Sequence, residues 1–235
     1  MSEQAAVREP LGPADGWGVL HLFCRAGTTL DTGAVEAAGD EARSRGAQVV
    51  SAVVLGHKAD VALMVLGPDL WVLREFQTAV RRGGLDPVDS YVSLTEVSEY
   101  AAGIPAEMRQ ARLFPELPPD GMRAYCFYPM SKRRMSDQNW YALDFEERTR
   151  LMRAHGAVGR TFHGRIVQLI TGSTGLDDWE WGVTLFGMRP DDLKDCVYQM
   201  RFDEASARYA EFGPFYTGIV APLPEVLAEV SARGR

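Results

Sequence analysis

Cysteine is scarce. Three residues, Cys24, Cys126 and Cys196, are odd in number, far apart and without a C-x-x-C pair. That excludes a disulfide scaffold and a cysteine zinc site, and predicts reduced, mostly buried thiols in a reducing compartment. Positive charge is also in deficit. The 25 Lys and Arg against 32 Asp and Glu leave a net charge of −7, the wrong sign for a protein whose main task is gripping nucleic acid. A local basic cluster could still hold a small anion. No apolar run approaches the ~18 residues of a membrane span. The stretch Met1 to Gly16, polar and acidic with Pro10 and Pro13, has neither the basic nor the apolar segment of a signal peptide. The expectation is a cytoplasmic protein with a flexible tail over 1–16. A phosphate loop is missing too: Gly172-Ser173-Thr174-Gly175 lacks the lysine and the spacing, and a turn suffices for it.

What is present is apolar patterning. With 46% hydrophobic and 24% charged residues the chain reads as globular, and its length suits one large domain or two ordinary ones. Two blocks repeat one order of elements. In the first, Trp17 to Cys24 is an apolar strand and Thr29 to Arg45 a helix stopped before Gly46. Val49 to Leu55 and Val61 to Leu66 are strands joined through Gly56-His57-Lys58, Asp69 to Arg82 is a helix, and Tyr91 to Val97 a strand. In the second, Arg123 to Met130 is a strand and Phe145 to His155 a helix closed by Gly156. Thr161 to Ile170 and Trp179 to Met188 are strands. Asp191 to Phe212 is mostly helical, Phe215 to Val220 a strand, and Pro224 to Ala232 a tail helix. The order β-α-β-β-α-β is ferredoxin-like. The expected fold class is therefore α+β, with two ferredoxin-like domains, 17–99 and 122–235, joined by a Pro-richer linker over 100–121.

The densest chemistry is Tyr128-Pro129-Met130-Ser131-Lys132-Arg133-Arg134. Tyr128 shares strand parity with Cys126 and Ala124, so it faces one side of the sheet. Three basic side chains after it form either an anion site for carboxylates or phosphates or a solvated basic turn. His155 lies one turn beyond Leu151 and Met152 on the apolar side of its helix. It is either an axial ligand for heme iron or a core histidine bonded to backbone. Gln168 is the one polar residue in Ile166 to Ile170; a buried amide there is a structural hydrogen-bonder or a ligand contact. His163 falls on the opposite strand face and reads as surface or interface. His21 and His57 suit core and turn, and Glu180 and Thr184 sheet packing.

These residues carry a resemblance. The segments CFYPMSKRR (126–134), NWY (139–141), RAHGAVGR (153–160), GRIVQLITGSTGLDDWEWGVTLF (164–186) and MRFDEASARYAEFGPFYTG (200–218) resemble the HemQ-type coproheme decarboxylases of the chlorite dismutase superfamily. The first block matches by element order and SYVSLTEVSEY (90–100). The resemblance implies paired ferredoxin-like domains forming a dimeric α+β barrel, a homopentamer, and a heme site in the C-terminal half. It implies His155 as the iron ligand, Tyr128 as the redox tyrosine, and Lys132 as support for the second decarboxylation. Gln168 would be the distal residue, and Arg112, Met130 and Ser206 would lie at the cofactor, with Arg112, Ser206 and Tyr128 holding propionates. The substrate would be coproheme (Fe-coproporphyrin III), the oxidant hydrogen peroxide and the product heme b, with a coproporphyrin ferrochelatase as a transient partner. Chlorite dismutases carry arginine where Gln168 stands, which disfavours chlorite handling. No histidine occurs in 100–121, so the distal base that some members draw from this linker is unassigned. The alternative reading is a heme-binding or heme-delivery protein of the same fold without turnover.

Overall fold

A computed structural model describes residues 8–101 and 103–231. The first block folds as β1 (Gly18–Ala26), α1 (Thr32–Ser44), β2 (Gln48–Val54), β3 (Val61–Gly67), α2 (Leu70–Arg82) and β4 (Leu85–Thr95). Local chemistry sets the helix starts: the Asp31 and Asp69 side chains accept from Ala34 N and Trp71 N, meeting amides the helices leave unpaired. The sheet order β2-β3-β1-β4 is the ferredoxin-like one.

The second block repeats the plan with β5 (Ala124–Lys132), α4 (Phe145–Arg160), β8 (Ile166–Gly172), β9 (Trp181–Gly187), α5 (Pro190–Met200) and β11 (Tyr216–Val220), ordered β8-β9-β5-β11. Small pieces are added. These are α3 (Ala106–Leu113) in the linker, the hairpin β6 (Arg134–Met135) and β7 (Gln138–Asn139), α6 (Glu204–Tyr209), β10 (Ala210–Phe212) and α7 (Leu223–Ser231).

The halves join at two short seams. β4 meets β8 at Leu94↔Gly172 and Thr95↔Thr171, and β11 meets β2 over Gly218–Val220 and Ala52–Val54. Because β5 also pairs with β9, eight strands close into an antiparallel barrel with every long strand paired on both sides, which removes the free edges of two separate sheets. The barrel interior is aromatic: Phe23, Tyr91, Tyr125, Phe127, Phe186 and Tyr216 pack together. His21 belongs to it, fully buried, its Nε2 3.0 Å from Thr184 Oγ1. Burial drives that imidazole down to about 3, so it is neutral core, as its sequence surroundings indicated.

Outside the barrel the halves differ. In the first, α1 and α2 pack on each other and on the strands, and α7 adds cover over β2. In the second, α5 covers β5 and β9, while α4 leans on α5 and α6. Beyond Ile166, which packs under α5, the outward side chains of β8 therefore stay open, with Gln168 exposed and Ile170 40% exposed.

Several expectations are corrected. α4 does not stop at His155; it runs through Gly156 and Gly159 to Arg160. The residues after it form a turn, with Gly164 at positive φ, and β8 starts only at Ile166. The long helix expected over 191–212 divides into α5, α6 and β10, and the linker contains α3. β4 begins six residues before Tyr91, at Leu85. Of the expected tail segment, 1–7 lies outside the described residues, as does Ala232 at the end of the expected tail helix.

Candidate functional site

Strand parity builds one wall of the site. On the outward face of β8, β9 and β5, three rows run across the sheet: Gln168, Leu185, Cys126; then Ile170, Val183, Tyr128; then Gly172, Trp181, Met130. With strands about 4.8 Å apart, Gln168 and Tyr128 stand on one face about 12 Å from each other. α5 covers the Tyr128 end and leaves the Gln168 end open. Gln168 is thus not the buried amide its apolar strand predicted, because α5 does not reach over this part of the face.

Tyr128 is 7% exposed. Its ring stacks on Phe215 at 4.4 Å and meets Phe212 at 5.8 Å, inside a cluster with Cys126, Val183, Leu185 and Leu193. Burial raises the phenol well above its ordinary value. Lys132, two rows further along β5, is buried too. Its Nζ lies 4.1 Å from the Trp140 ring centroid and 3.5 Å from the Ala205 carbonyl. Burial pulls this ammonium down to about 8, against the opposing pull of Asp203 and Glu180.

The basic run after Tyr128 is not one cationic turn. Alternation along the chain separates it: Lys132 goes inward, Arg133 donates to Gln138 and to the Arg208 carbonyl, and Arg134 pairs with Glu180 at 3.4 Å. Glu180 is itself buried, and its carboxylate accepts from Lys132 N at 2.7 Å, which anchors the strand end. It does more than pack the sheet.

A second group of candidates comes from α4 and α6. His155 projects from mid-helix, partly buried, with Nδ1 3.1 Å from Asp203 Oδ2 and 3.4 Å from Ser206 Oγ. Asp203 caps α6, accepting from Ser206 N, and its own side chain is 3% exposed. Burial works against its charge, yet the hydrogen bonds from His155 and Ser206 hold the carboxyl below its usual range. An imidazole that donates Nδ1–H to such a carboxylate presents Nε2 as a free lone pair, the arrangement in which histidine binds metal. α6 therefore ties three candidates together: Asp203 and Ser206 hold His155, and Ala205 meets Lys132.

Arg112 is not drawn in. It is exposed on the last turn of α3, which is docked on the first half through the Leu113 carbonyl to Thr95 and Phe114 to Trp17. Among the described residues no hydrogen bond, ion pair or ring contact links it to the other candidates. His163 is exposed in the turn after α4.

Four residues escaped sequence reasoning as site components. Trp140 forms the floor under Lys132. Asp203 orients His155; its D-x-x-S spacing to Ser206 was a legible helix-start signal. Arg201 lays its guanidinium 3.8 Å over the Phe212 ring, next to Tyr128. Glu96 lies against the outward face of Gly172, where any Cβ would collide with its carboxylate, and accepts from Trp181 Nε1 at 3.2 Å. A cavity of about 570 Å³ opens between the end of α4 and α5, lined by Phe162, Arg165, Lys194 and Tyr198. It involves none of the converging residues above.

Comparison with known proteins gives a consistent picture. Residues 31–221 match a family model described as chlorite dismutase. A coproheme decarboxylase from Staphylococcus carnosus is 48% identical over 72% of this chain and 71% of its own length. A protein of Natronomonas pharaonis that carries a heme-binding name is 40% identical over 90% of this chain; the chain spans only 40% of that longer protein. Among solved structures, a heme-binding protein from Thermus thermophilus is 35% identical with a TM-score of 0.78, covering 94% of this chain and 99% of that one. A variant chlorite dismutase from Candidatus Nitrospira defluvii, 20% identical with a TM-score of 0.76, covers 93% of this chain and 97% of that one and shares the fold.

Proposed function

The chain belongs to the chlorite dismutase family, and from that premise we propose that it is a coproheme decarboxylase. In this reading it converts Fe-coproporphyrin III to heme b, with hydrogen peroxide as oxidant. Each round balances as one propionate and one peroxide giving one vinyl, one carbon dioxide and two waters. The observation that carries the reading is the grouping around α6 of a His155 held by the Asp203 carboxylate and a buried Lys132 against Ala205, with the buried, oxidisable Tyr128 on the same strand and face as Lys132.

Bound coproheme and peroxide supply the oxidising equivalents. The protein supplies position and protons. His155 Nε2 holds the iron from the α4 side, with Asp203 fixing its tautomer. Gln168, neutral, lies on the distal side; Met130, Ser206 and Arg112 are assigned to the porphyrin and its propionates. Tyr128, losing an electron and a proton together, becomes the phenoxyl that takes hydrogen from the propionate β-carbon. A buried neutral phenol suits this coupled loss, since charge separation in that cluster would be costly. Lys132, protonated at neutral pH, pairs with a carboxylate. Fixed geometry between ring and propionate provides much of the rate. The cytoplasm, a homopentamer and a passing ferrochelatase complete the proposal.

Anaerobic reconstitution with coproheme, followed by peroxide titration and mass spectrometry of the porphyrin, tests this reading. Two successive losses, each of one carbon dioxide and two hydrogens, are expected. An unchanged porphyrin mass alongside tight binding would instead support the heme-carrier reading, which needs His155 but neither Tyr128 nor Lys132.

A further inference from the structure

Two thiols that the proposed reaction leaves idle share the buried environment of Tyr128. Cys126 precedes Tyr128 by two residues on β5, so both leave the same face, and both pack with Val183, Leu185 and Leu193. Such neighbours sit about 7 Å apart along the backbone. Cys196 lies one turn beyond Leu193 on α5, the helix that covers this face, and is 4% exposed. α5 packs directly on β5, which lays the buried Cys196 over the face that carries Cys126 and Tyr128. Neither thiol is in a disulfide. Burial pushes Cys126 up to about 12 and Cys196 to about 11, so both are neutral S–H groups at physiological pH. A neutral buried thiol is a poor nucleophile and a poor metal ligand. What it can give is a hydrogen atom.

We propose that Cys126, backed by Cys196, returns a hydrogen atom to the Tyr128 phenoxyl once the two propionates that react have both been consumed. The inference rests on Tyr128 being the radical site. In the step, the Cys126 S–H bond breaks and the phenol O–H bond forms. Tyr128 is reduced by one electron and one proton, and Cys126 is oxidised to a thiyl by the same amount. A second exchange, in which the Cys196 S–H breaks and the Cys126 S–H re-forms, carries the thiyl onto α5. The need arises in the product complex. Peroxide that arrives after both of these propionates have become vinyls generates a phenoxyl with no substrate hydrogen within reach, enclosed by Phe212 and Phe215. An aromatic pocket free of S–H groups would let that radical persist until it attacked a neighbouring side chain.

The test uses the heme b complex treated with peroxide, freeze-quenched for electron paramagnetic resonance, in wild type, Cys126→Ser, Cys126→Ala and Cys196→Ala. Serine keeps the size and polarity of the side chain opposite Thr217 on β11, so at least one variant keeps the local packing. The tyrosyl signal should last about tenfold longer in both Cys126 variants, with a smaller extension in Cys196→Ala. Peptide mass spectrometry should show correspondingly more oxidised or cross-linked aromatic residues. Equal decay and equal damage in all four proteins would overturn the proposal. A different result, in which no tyrosyl signal forms in any of them and Tyr128→Phe accumulates the same damage as wild type, would instead overturn the assignment of Tyr128.

Discussion

Lys132 shows how a single residue can be destabilising and still retained. Its ammonium is moved from the 10.5 of free lysine to about 8, chiefly by burial. Below about pH 8 both folded and unfolded chains carry the proton, and the folded state bears the full cost. Between about 8 and 10.5 the unfolded chain binds more protons, so stability rises with pH until the cost is gone. The difference is worth about 3 kcal/mol at the outside. Lys132→Met, which keeps the length and removes the charge, should therefore stabilise the ligand-free protein at pH 7, by up to about 3 kcal/mol. The gain should shrink towards zero near pH 10.5. Urea unfolding at the two pH values checks the sign, and a loss of stability at pH 7 would contradict it. The sequence pointed to this lysine through its basic neighbours, yet Lys132 is separated from them. Strand alternation and the buried partner Glu180, 48 positions away in the chain, decide where each cation goes, and no local pattern displays that partner.

Among the elements, α4 and α6 decide whether a ligand has room. The sequence made Gly156 look like a helix stop. In the fold, α4 continues because two glycines cost only about 1 kcal/mol each relative to alanine, and the packing of Leu151 against Trp140, Ala205 and Tyr209 holds the helix from the other side. The placement of His155 on a packed helix was legible from Leu151 and Met152. The link from His155 to Asp203 was not, because it spans 48 residues. Asp203→Asn should leave α6 capped, since asparagine is as good an N-cap as aspartate, but it removes the charge facing the imidazole. Coproheme affinity should fall about 10- to 100-fold, as for other partners of metal-bound histidine. Spectrophotometric titration of the ligand-free protein measures this, with circular dichroism as a control for folding. An unchanged affinity would mean that the carboxylate does not support the iron ligand.

At the scale of the whole molecule, a repeated β-α-β-β-α-β plan serves two ends. The first half closes its helices over the sheet and contributes a packed core; the second half keeps the same strand order but tilts one helix away. Repetition was readable because apolar runs and helical spacing recur in the same order in both blocks. Barrel closure was not. It depends on seams of two and three residue pairs, too short to leave a signature in hydrophobic pattern. The open face of β8 was hidden for a related reason. Apolar residues on both sides of a strand look the same whether a helix or a flat ligand is to cover them, so Gln168 read as buried.

The claim that the second half uses this open face for radical decarboxylation depends most directly on Tyr128. Its ring packs on Phe215 and its hydroxyl has no described hydrogen-bond partner, so Tyr128→Phe removes the oxidisable group with little change in packing. Wild type and Tyr128→Phe would be loaded with coproheme, given stoichiometric peroxide without oxygen, and analysed for mono- and divinyl porphyrins. The variant should fold, bind coproheme with nearly wild-type affinity and leave both propionates intact, whereas wild type proceeds to heme b. Formation of heme b by Tyr128→Phe at a rate near that of wild type would contradict the account.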